Sequence, residues 1–142
     1  VQTEDFKNFS NKDFKVVSKN KPTSKQMKNL IFAFNICRYV KSNAIVLATN
    51  ETTVGIGSGQ PSRLDSCQIA IDKMKKFMHT KEEIVAASDA FFPFVDGIEK
   101  LVQSGVAAVI QPAGSIRDKE IINFANETGT ILVFSKTRHF RH

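Results

Sequence analysis

The stretch IVAASDAFFPFVDGIEKLVQSGVAAVI, residues 84–110, decides the fold, because it has the pattern of a strand, a loop, a helix and a second strand. Its two ends, 84–87 and 107–110, are short apolar runs without polar alternation, which is typical of strands covered on both faces. Between them Ile98 and Leu101 recur at helical spacing, and Gly105 follows where a helix C-cap is expected. This order predicts two parallel strands joined by a crossover helix.

The same reading extends in both directions along the chain. Upstream it predicts a helix over 24–40, a hairpin with strands at 44–48 and 53–57, and a helix carrying an apolar stripe from Leu64 to Met78. Downstream it predicts a helix over 116–126, closed by Gly129, and a last strand over 130–134. A hairpin followed by alternating helices and strands indicates an α/β three-layer sandwich, with a mostly parallel sheet and one antiparallel edge strand.

The chain has 142 residues, about the length of one domain, with no internal repeat. We expect residues 1–22 to be a basic lead-in or linker and residues 23–142 to form the domain, because lysines dominate the start of the chain. These lysines are read as a solvated segment, with attraction of polyanions as the alternative. The first residue is Val1 rather than Met, which favours a piece of a longer protein over a processed chain.

Composition narrows the classes of function. The net charge is +6, but there is no block of Lys and Arg and no aromatic-interleaved pattern, so nucleic-acid binding is not expected. No apolar stretch approaches the roughly 20 residues of a membrane span, and no signal peptide is evident. Cys37 and Cys67 stand 30 residues apart in predicted helices, which favours reduced core thiols over a disulfide or metal pair and indicates a reducing cytoplasm.

Ligands of open α/β sheets gather at the carboxyl ends of the strands, and four segments with unusual residues lie at such ends here. The small residues of 55–63 would let a ligand approach the backbone, and Arg63 would pair with an anion, although a plain strand-to-helix turn explains the glycines equally well. The segment 110–118 offers Ser115 or Asp118 as a helix cap. The basic tail, 136–142, is either solvated or folded over a pocket.

The remaining segment, Ser88 to Gly97, is the most unusual, because it places three phenylalanines and a proline where loops are usually polar. A flat aromatic ligand would stack on this apolar surface, with Asp96 as a directional polar group. The alternative is a loop folded back into the core. No Ser-His-Asp arrangement is signalled, and the His-x-Glu and Pro-Cys-x-x-Cys motifs of zinc deaminases are missing from the sequence, so no zinc site is expected.

From about Phe14 to His142 the sequence resembles the C-terminal subdomain of the formyltransferase part of the bifunctional purine-biosynthesis family, whose two activities are AICAR formyltransferase and IMP cyclohydrolase. AICAR is aminoimidazole carboxamide ribonucleotide. The resemblance is carried by several strings in order and at family-like spacing: 41–45, 54–63, 88–94 with Asp96 and Gly97, 110–118, and 138–142. It implies a cytidine-deaminase-like three-layer sandwich, a homodimer in the full-length enzyme, and formyl transfer from 10-formyltetrahydrofolate to AICAR.

The resemblance also implies roles for single residues. Asn43, Phe91 and Arg138 fall where the family contacts the nucleotide, and Arg138 is placed near its phosphate. The folate positions are Arg63, Leu64, Pro93, Phe94 and Asp96. A structural potassium ion is implied near Ser42 and Asp89.

One departure limits what this chain does alone. The Lys-His pair that the family uses for proton transfer lies in the earlier subdomain, and here Lys41 is followed by Ser42. No catalytic residue is therefore assigned, and we expect the isolated chain to bind its ligands without turning them over. The alternative hypothesis is a non-catalytic binding module that keeps the folate or nucleotide pocket.

Overall fold

The computed structural model describes residues 14–37, 39–77 and 83–136. In chain order its elements are β1 (Phe14–Val16), α1 (Ser24–Cys37), β2 (Ile45–Thr49), β3 (Thr52–Gly57), α2 (Arg63–Phe77), β4 (Ile84–Ser88), α3 (Val95–Gln103), β5 (Val106–Pro112), α4 (Asp118–Thr128) and β6 (Ile131–Ser135). None of the helices in these ranges is long and apolar enough to cross a membrane.

The strands form one sheet in the order β1-β6-β5-β4-β2-β3. Strands β4, β5 and β6 pair in parallel, whereas β2 is antiparallel to both of its neighbours, β3 and β4. Strand β3 consequently runs in the same direction as β4, β5 and β6, which makes the sheet mostly parallel in direction, as predicted. Strand β1 lies at the opposite edge, antiparallel to β6, within the segment that the sequence pattern assigned to the lead-in.

Helices cover both faces of the sheet. On one face α1 contacts β2, β4 and β5, and its Leu30 and Phe34 join a core cluster with Val46. On the other face α2, α3 and α4 lie over a second cluster that includes Cys67. Strands β2, β4 and β6 are buried along their whole length, which explains why their sequences are continuously apolar. The predicted three-layer arrangement is confirmed.

Helix ends follow local side-chain chemistry. Helix α1 begins with a capping box, in which the Thr23 hydroxyl accepts the Gln26 N–H at 3.1 Å and Gln26 Oε1 accepts the Thr23 N–H at 2.8 Å. Helix α4 ends at Gly129, which adopts the left-handed conformation at φ 72°. It begins at Asp118 rather than at 116, because the Asp118 carboxylate holds the preceding turn by accepting N–H groups of Gly114 and Ser115.

The connection between β2 and β3 is a tight turn. Asn50 and Glu51 both have positive φ, 50° and 53°, which is the conformation of two-residue hairpin turns whose twist matches that of the strands. Asn29 of α1 fixes the turn, since its Oδ1 accepts the Glu51 N–H at 2.7 Å. The turn therefore lies at the end of β2 that is remote from residues 43 and 44.

Helix α2 lies unusually close to β3. A Cβ placed on Gly57 would stand 1.9 Å from the carbonyl oxygen of Ser66, and one on Gly55 would stand 2.2 Å from that of Ala70. Both obstacles are backbone atoms of α2, so only glycine fits at these two positions. Two of the glycines in segment 55–63 thus serve the packing of a helix on a strand, a structural role different from the strand-to-helix turn that the sequence suggested.

Candidate functional site

A cavity of about 610 Å³ opens at the carboxyl ends of β3 and β4, beside the start of β2. This is the edge at which ligands of α/β sheets are usually bound. Its walls come from the segment before β2, the start of α2 and the loop between β4 and α3. The lining residues are Asn43, Pro61, Ser62, Arg63, Leu64, Ala90, Phe91, Phe92, Pro93, Phe94, Asp96 and Gly97.

The structure brings the predicted site residues together. All of those within the described ranges line this one cavity: Asn43, Arg63, Leu64, Phe91, Pro93, Phe94 and Asp96. Arg138, which was predicted to meet the nucleotide, lies outside the described residues. Asn43 and Asp96, which are 53 positions apart in the chain, therefore line the same cavity. Their individual ligand contacts stay predictions.

One end of the cavity is polar and centres on Arg63. Its Nη1 donates to Asp89 Oδ1 at 2.5 Å and to the Ser88 hydroxyl at 3.0 Å, and its Nη2 donates to Asn43 Oδ1 at 2.7 Å. The side chain is only 9% exposed, and that of Asp89 is fully buried. The first residue of α2 is thereby tied both to the end of β4 and to the segment before β2.

Asp89 organises this polar end, whereas the sequence analysis named it only as a neighbour of a potassium ion. Besides Arg63, its Oδ1 accepts the Ala44 N–H at 3.1 Å, and its Oδ2 accepts the Ser42 hydroxyl at 2.7 Å. The signal that would have indicated it is an acidic residue directly after a buried strand that is apolar up to its last residue, Ser88. A carboxylate at such a place needs a buried partner.

The fit of the potassium ion can be judged on the same contacts. Ser42 and Asp89 do lie together, but both carboxylate oxygens already accept protein donors, and the charge is paired with Arg63. The described residues also bring together no group of three or more His, Cys, Asp and Glu side chains that would hold a metal. Ser42 and Asp89 alone do not supply enough oxygen ligands to hold a potassium ion. The formyl transfer is therefore described without a cation.

The other end of the cavity is apolar, and here the aromatic run divides into two parts. Phe92 is 1% exposed and belongs to the core, where its backbone N–H donates to Gln111 Oε1 at 3.3 Å. Phe91 is half-buried, and Phe94 is 54% exposed at the cavity wall. The core interpretation is therefore confirmed for Phe92, whereas ligand stacking on Phe91 and Phe94 stays a prediction. Phe92 anchors the loop, and its neighbours remain available to a ligand.

Phe94 is supported from its far side. The Arg117 guanidinium lies over the ring, 4.9 Å from its centroid. This contact favours one ring orientation through the attraction between a cation and an aromatic face. A second space of about 310 Å³ adjoins the first along Phe91 and Pro93, and continues to Ile116, which is 99% exposed.

Asp96 supplies a polar group at the apolar end. It is exposed, in the first turn of α3, and its Oδ1 accepts the Gly97 N–H at 2.9 Å. The carboxylate is accessible from the cavity that it lines. The cavity has aromatic walls, the Asp96 carboxylate at one end and the Asn43 carboxamide, held by Arg63, at the other. Such a slot can hold a flat ligand that forms hydrogen bonds.

These features define a class of protein: a three-layer α/β domain of the deaminase type with a binding cavity at the carboxyl ends of its strands. The crystal structure of dCMP deaminase from the cyanophage S-TIM5 in apo form shares this fold, with a TM-score of 0.50 and 17% sequence identity. The likeness covers 80% of this chain and 98% of that chain. It confirms the predicted cytidine-deaminase-like fold.

The family follows from the sequence comparisons. Residues 1–73 match the family described as AICARFT/IMPCHase bienzyme. The chain is also 48% identical over 130 residues to the bifunctional purine biosynthesis protein PurH of Persephonella marina (strain DSM 14350 / EX-H1). This chain belongs to the AICARFT/IMPCHase bienzyme family. The match covers 92% of this chain but only 25% of that relative, so the chain spans about a quarter of the relative's length.

Proposed function

We propose that this chain is the C-terminal subdomain of the formyltransferase part of a longer bifunctional enzyme of purine biosynthesis. In this role it binds AICAR and 10-formyltetrahydrofolate side by side. The observation that carries the proposal is the cavity, because residues expected on family resemblance to meet the two ligands line one continuous space. The family membership and the 48% identity to PurH support the same reading.

The polar end suits the nucleotide. Asn43 offers a carboxamide held by protein contacts, and Phe91 offers an aromatic face beside it. In the proposal Arg138 meets the phosphate, because a guanidinium binds phosphate oxygens in a bidentate manner.

The apolar end suits the folate. Leu64, Pro93 and Phe94 form the sides of a slot for the flat pterin ring, with Arg63 at its polar boundary. Asp96 accepts hydrogen bonds from the ring N–H groups at the mouth of that slot, since an ionised carboxylate is an acceptor only. Two ligands held in this way place the amine of AICAR beside the formyl group of the folate.

The reaction transfers one formyl group. The amine nitrogen of AICAR forms a bond to the formyl carbon, the bond from that carbon to N10 of the folate breaks, and a proton passes from the amine to N10. Positioning two reactants in this way converts a bimolecular step into an effectively unimolecular one. The proton-transfer pair comes from another part of the longer enzyme, and in the proposal that enzyme is a homodimer.

A second candidate function is a binding module without catalysis. It is favoured by the absence of a Lys-His pair from this sequence, in which Lys41 is followed by Ser42. The two candidates share the ligand contacts and differ in turnover.

The ligand assignment is tested by Asp96→Ala and Arg138→Ala in the full-length enzyme that carries this chain. We expect Asp96→Ala to raise the Kd for a folate analogue, and Arg138→Ala to raise the Kd for AICAR, each by about 10- to 100-fold, the range of a lost charge-assisted hydrogen bond. Isothermal titration calorimetry measures both constants for each variant.

Each variant has a matched control on the surface. Asp72→Ala removes an exposed carboxylate from α2, and Lys119→Ala removes an exposed cation from α4. Both controls are expected to bind as the wild type does. Unchanged affinity of Asp96→Ala for folate and of Arg138→Ala for AICAR would refute the assignment.

A further inference from the structure

Stability alone does not explain the buried ion pair of Arg63 and Asp89. Asp89 is 0% exposed, and the Arg63 side chain is 9% exposed. Removing two charges from water costs several kcal/mol for each ion, and well-packed apolar residues often stabilise a core equally well. A charged pair directly beneath a ligand cavity therefore indicates a role in arranging the groups that line the cavity.

Arg63 links the position of Asp89 to that of Asn43, because its guanidinium is rigid and planar. One nitrogen, Nη1, is fixed on Asp89 and Ser88, and the other, Nη2, donates to Asn43 Oδ1. With Nη1 held in place, the position and direction of Nη2 are set as well. A lysine at this position would carry the charge, but its ammonium has no rigid fork that fixes the direction of a bond to Asn43 relative to the bond to Asp89.

The contact fixes the orientation of the Asn43 carboxamide. Arg63 can only donate, and the Gln60 carbonyl, which accepts from Asn43 Nδ2 at 2.8 Å, can only accept. The oxygen of the carboxamide must consequently face Arg63, and the nitrogen must face Gln60. Rotation of the carboxamide by 180° would place its N–H group against the donor Arg63 and its oxygen against the Gln60 carbonyl oxygen, and both hydrogen bonds would be lost. Asn43 thus presents its remaining N–H group and lone pair in one defined orientation.

The backbone of Asn43 is held by separate contacts. The Ser66 hydroxyl donates to its carbonyl oxygen at 2.6 Å, and Asp89 binds the neighbouring Ala44 N–H and Ser42 hydroxyl. Asp89 therefore acts on Asn43 in two ways, through the residues on either side of it and through the guanidinium of Arg63.

We infer that Asp89 and Arg63 are positioning residues for nucleotide binding, with Asp89 making no ligand contact and acting through Arg63 on the carboxamide of Asn43. The inference rests on the proposed function, in which Asn43 meets AICAR. It assigns Arg63 a role at the nucleotide end in addition to its place at the boundary of the folate slot.

A double-mutant cycle tests the inference. The Kd for AICAR is measured without folate, in the full-length enzyme, for the wild type, Asn43→Ala, Asp89→Asn and the double variant. We expect each single change to weaken binding by about 10-fold, the effect of one well-placed hydrogen bond to a polar ligand. Because Asp89 acts through Asn43, the double variant should bind no more than about 2-fold more weakly than Asn43→Ala.

A merely structural role for Asp89 gives a different result. In that case the two losses multiply, and the double variant is about 100-fold weaker than the wild type, which overturns the inference. If the wild type does not bind AICAR, the proposed function fails and the inference fails with it. Binding by the wild type combined with multiplied losses overturns the inference alone.

A second variant covers the case in which Asp89→Asn does not fold. Arg63→Lys keeps a positive charge beside Asp89, but it loses the fork that joins Asp89 to Asn43. It should weaken AICAR binding by about 10-fold in the wild-type background and by less than 2-fold in the Asn43→Ala background. Equal losses in both backgrounds contradict the inference. Asp72→Asn, an exposed change of the same chemical type on α2, should leave the Kd unchanged.

Discussion

Cys37 and Cys67 lie on opposite faces of the sheet, each buried in one of the two core clusters as a free thiol. This location agrees with the prediction of core thiols. Burial raises the pKa of the Cys67 thiol to about 12, above its ordinary value, with nearby charges as smaller contributions. Burial also raises the pKa of Cys37, and the Asp89 carboxylate adds to that effect. Both thiols are consequently protonated at neutral pH, and neither is a nucleophile in the folded chain.

We predict that the folded protein at pH 8 reacts with Ellman's reagent at least about 100-fold more slowly than the protein unfolded in guanidinium chloride, because thiolate is the reactive form. The release of thionitrobenzoate, followed by absorbance, gives both rates. Fast reaction of one thiol in the folded protein would show that one of the helices does not cover its cysteine.

The same pKa shift has a consequence for stability. The folded pKa of Cys67 lies above its unfolded value, so this contribution to the free energy of unfolding is present below about pH 9. It is lost as the pH rises toward 12.

At the level of single residues, resemblance indicated residues that share one cavity, while their ligand contacts stay predictions. Asn43, Leu64 and Phe94 could be assigned by resemblance, and each lines the cavity. The sequence could not predict that Phe92 turns into the core while Phe91 and Phe94 do not, because three phenylalanines in one loop are equivalent until the Gln111 contact is known. The sequence also could not reveal the ion pair of Asp89 and Arg63, since these residues are 26 positions apart in the chain.

Among the elements, the contact of α2 with β3 is the most constrained. The carbonyl oxygens of Ser66 and Ala70 occupy the space in which a side chain on Gly57 or Gly55 would lie. These are backbone atoms, so the only relief is a shift of the whole helix. Helix α2 begins with Arg63 and Leu64, and a shift would therefore move one wall of the cavity.

We predict that Gly57→Ala lowers the free energy of unfolding by about 3 kcal/mol, the upper part of the range for overpacking in a core. Urea denaturation followed by circular dichroism measures the change. Gly105→Ala is the matched control, because a Cβ there meets nothing within 4 Å and only the positive φ of 99° is strained. Its expected cost is about 1 kcal/mol. Equal costs for the two variants would be inconsistent with the close approach of α2 to β3.

Sequence periodicity identified all the helices and all the strands except β1 in the described ranges. The prediction succeeded where an element is long or fully buried, because its apolar pattern is then strong. Strand β1 escaped it because three residues, Phe14–Val16, give no measurable period. Its pairing with β6 depends on the register between Phe14 and Ser135, at opposite ends of the chain.

At the scale of the whole molecule, the predicted site residues within the described ranges lie in a single cavity at one edge of the sheet. In the proposed function the two substrates are bound here, while the proton-transfer pair is supplied by the rest of a longer enzyme. The relative PurH, of which this chain matches 25%, has ample length for that remainder.

We predict that the 142-residue chain alone gives no formyl transfer from 10-formyltetrahydrofolate to AICAR, whereas the full-length enzyme does. The formation of tetrahydrofolate, followed by absorbance, measures both rates. Turnover by the isolated chain above a protein-free blank would show that a proton-transfer group lies within these residues. Absence of turnover in the full-length enzyme, with both ligands bound, would favour the binding module instead.

The turn at Asn50 and Glu51 is a suitable site for attaching a label or a tag to this protein. It stands at the end of β2 opposite to the cavity, and both of its residues are exposed. The chain contains no tryptophan, so a single fluorophore introduced at this turn would not compete with intrinsic emission from that residue. A label or a short affinity tag inserted there can fix the protein to a sensor surface with its binding cavity facing the solution.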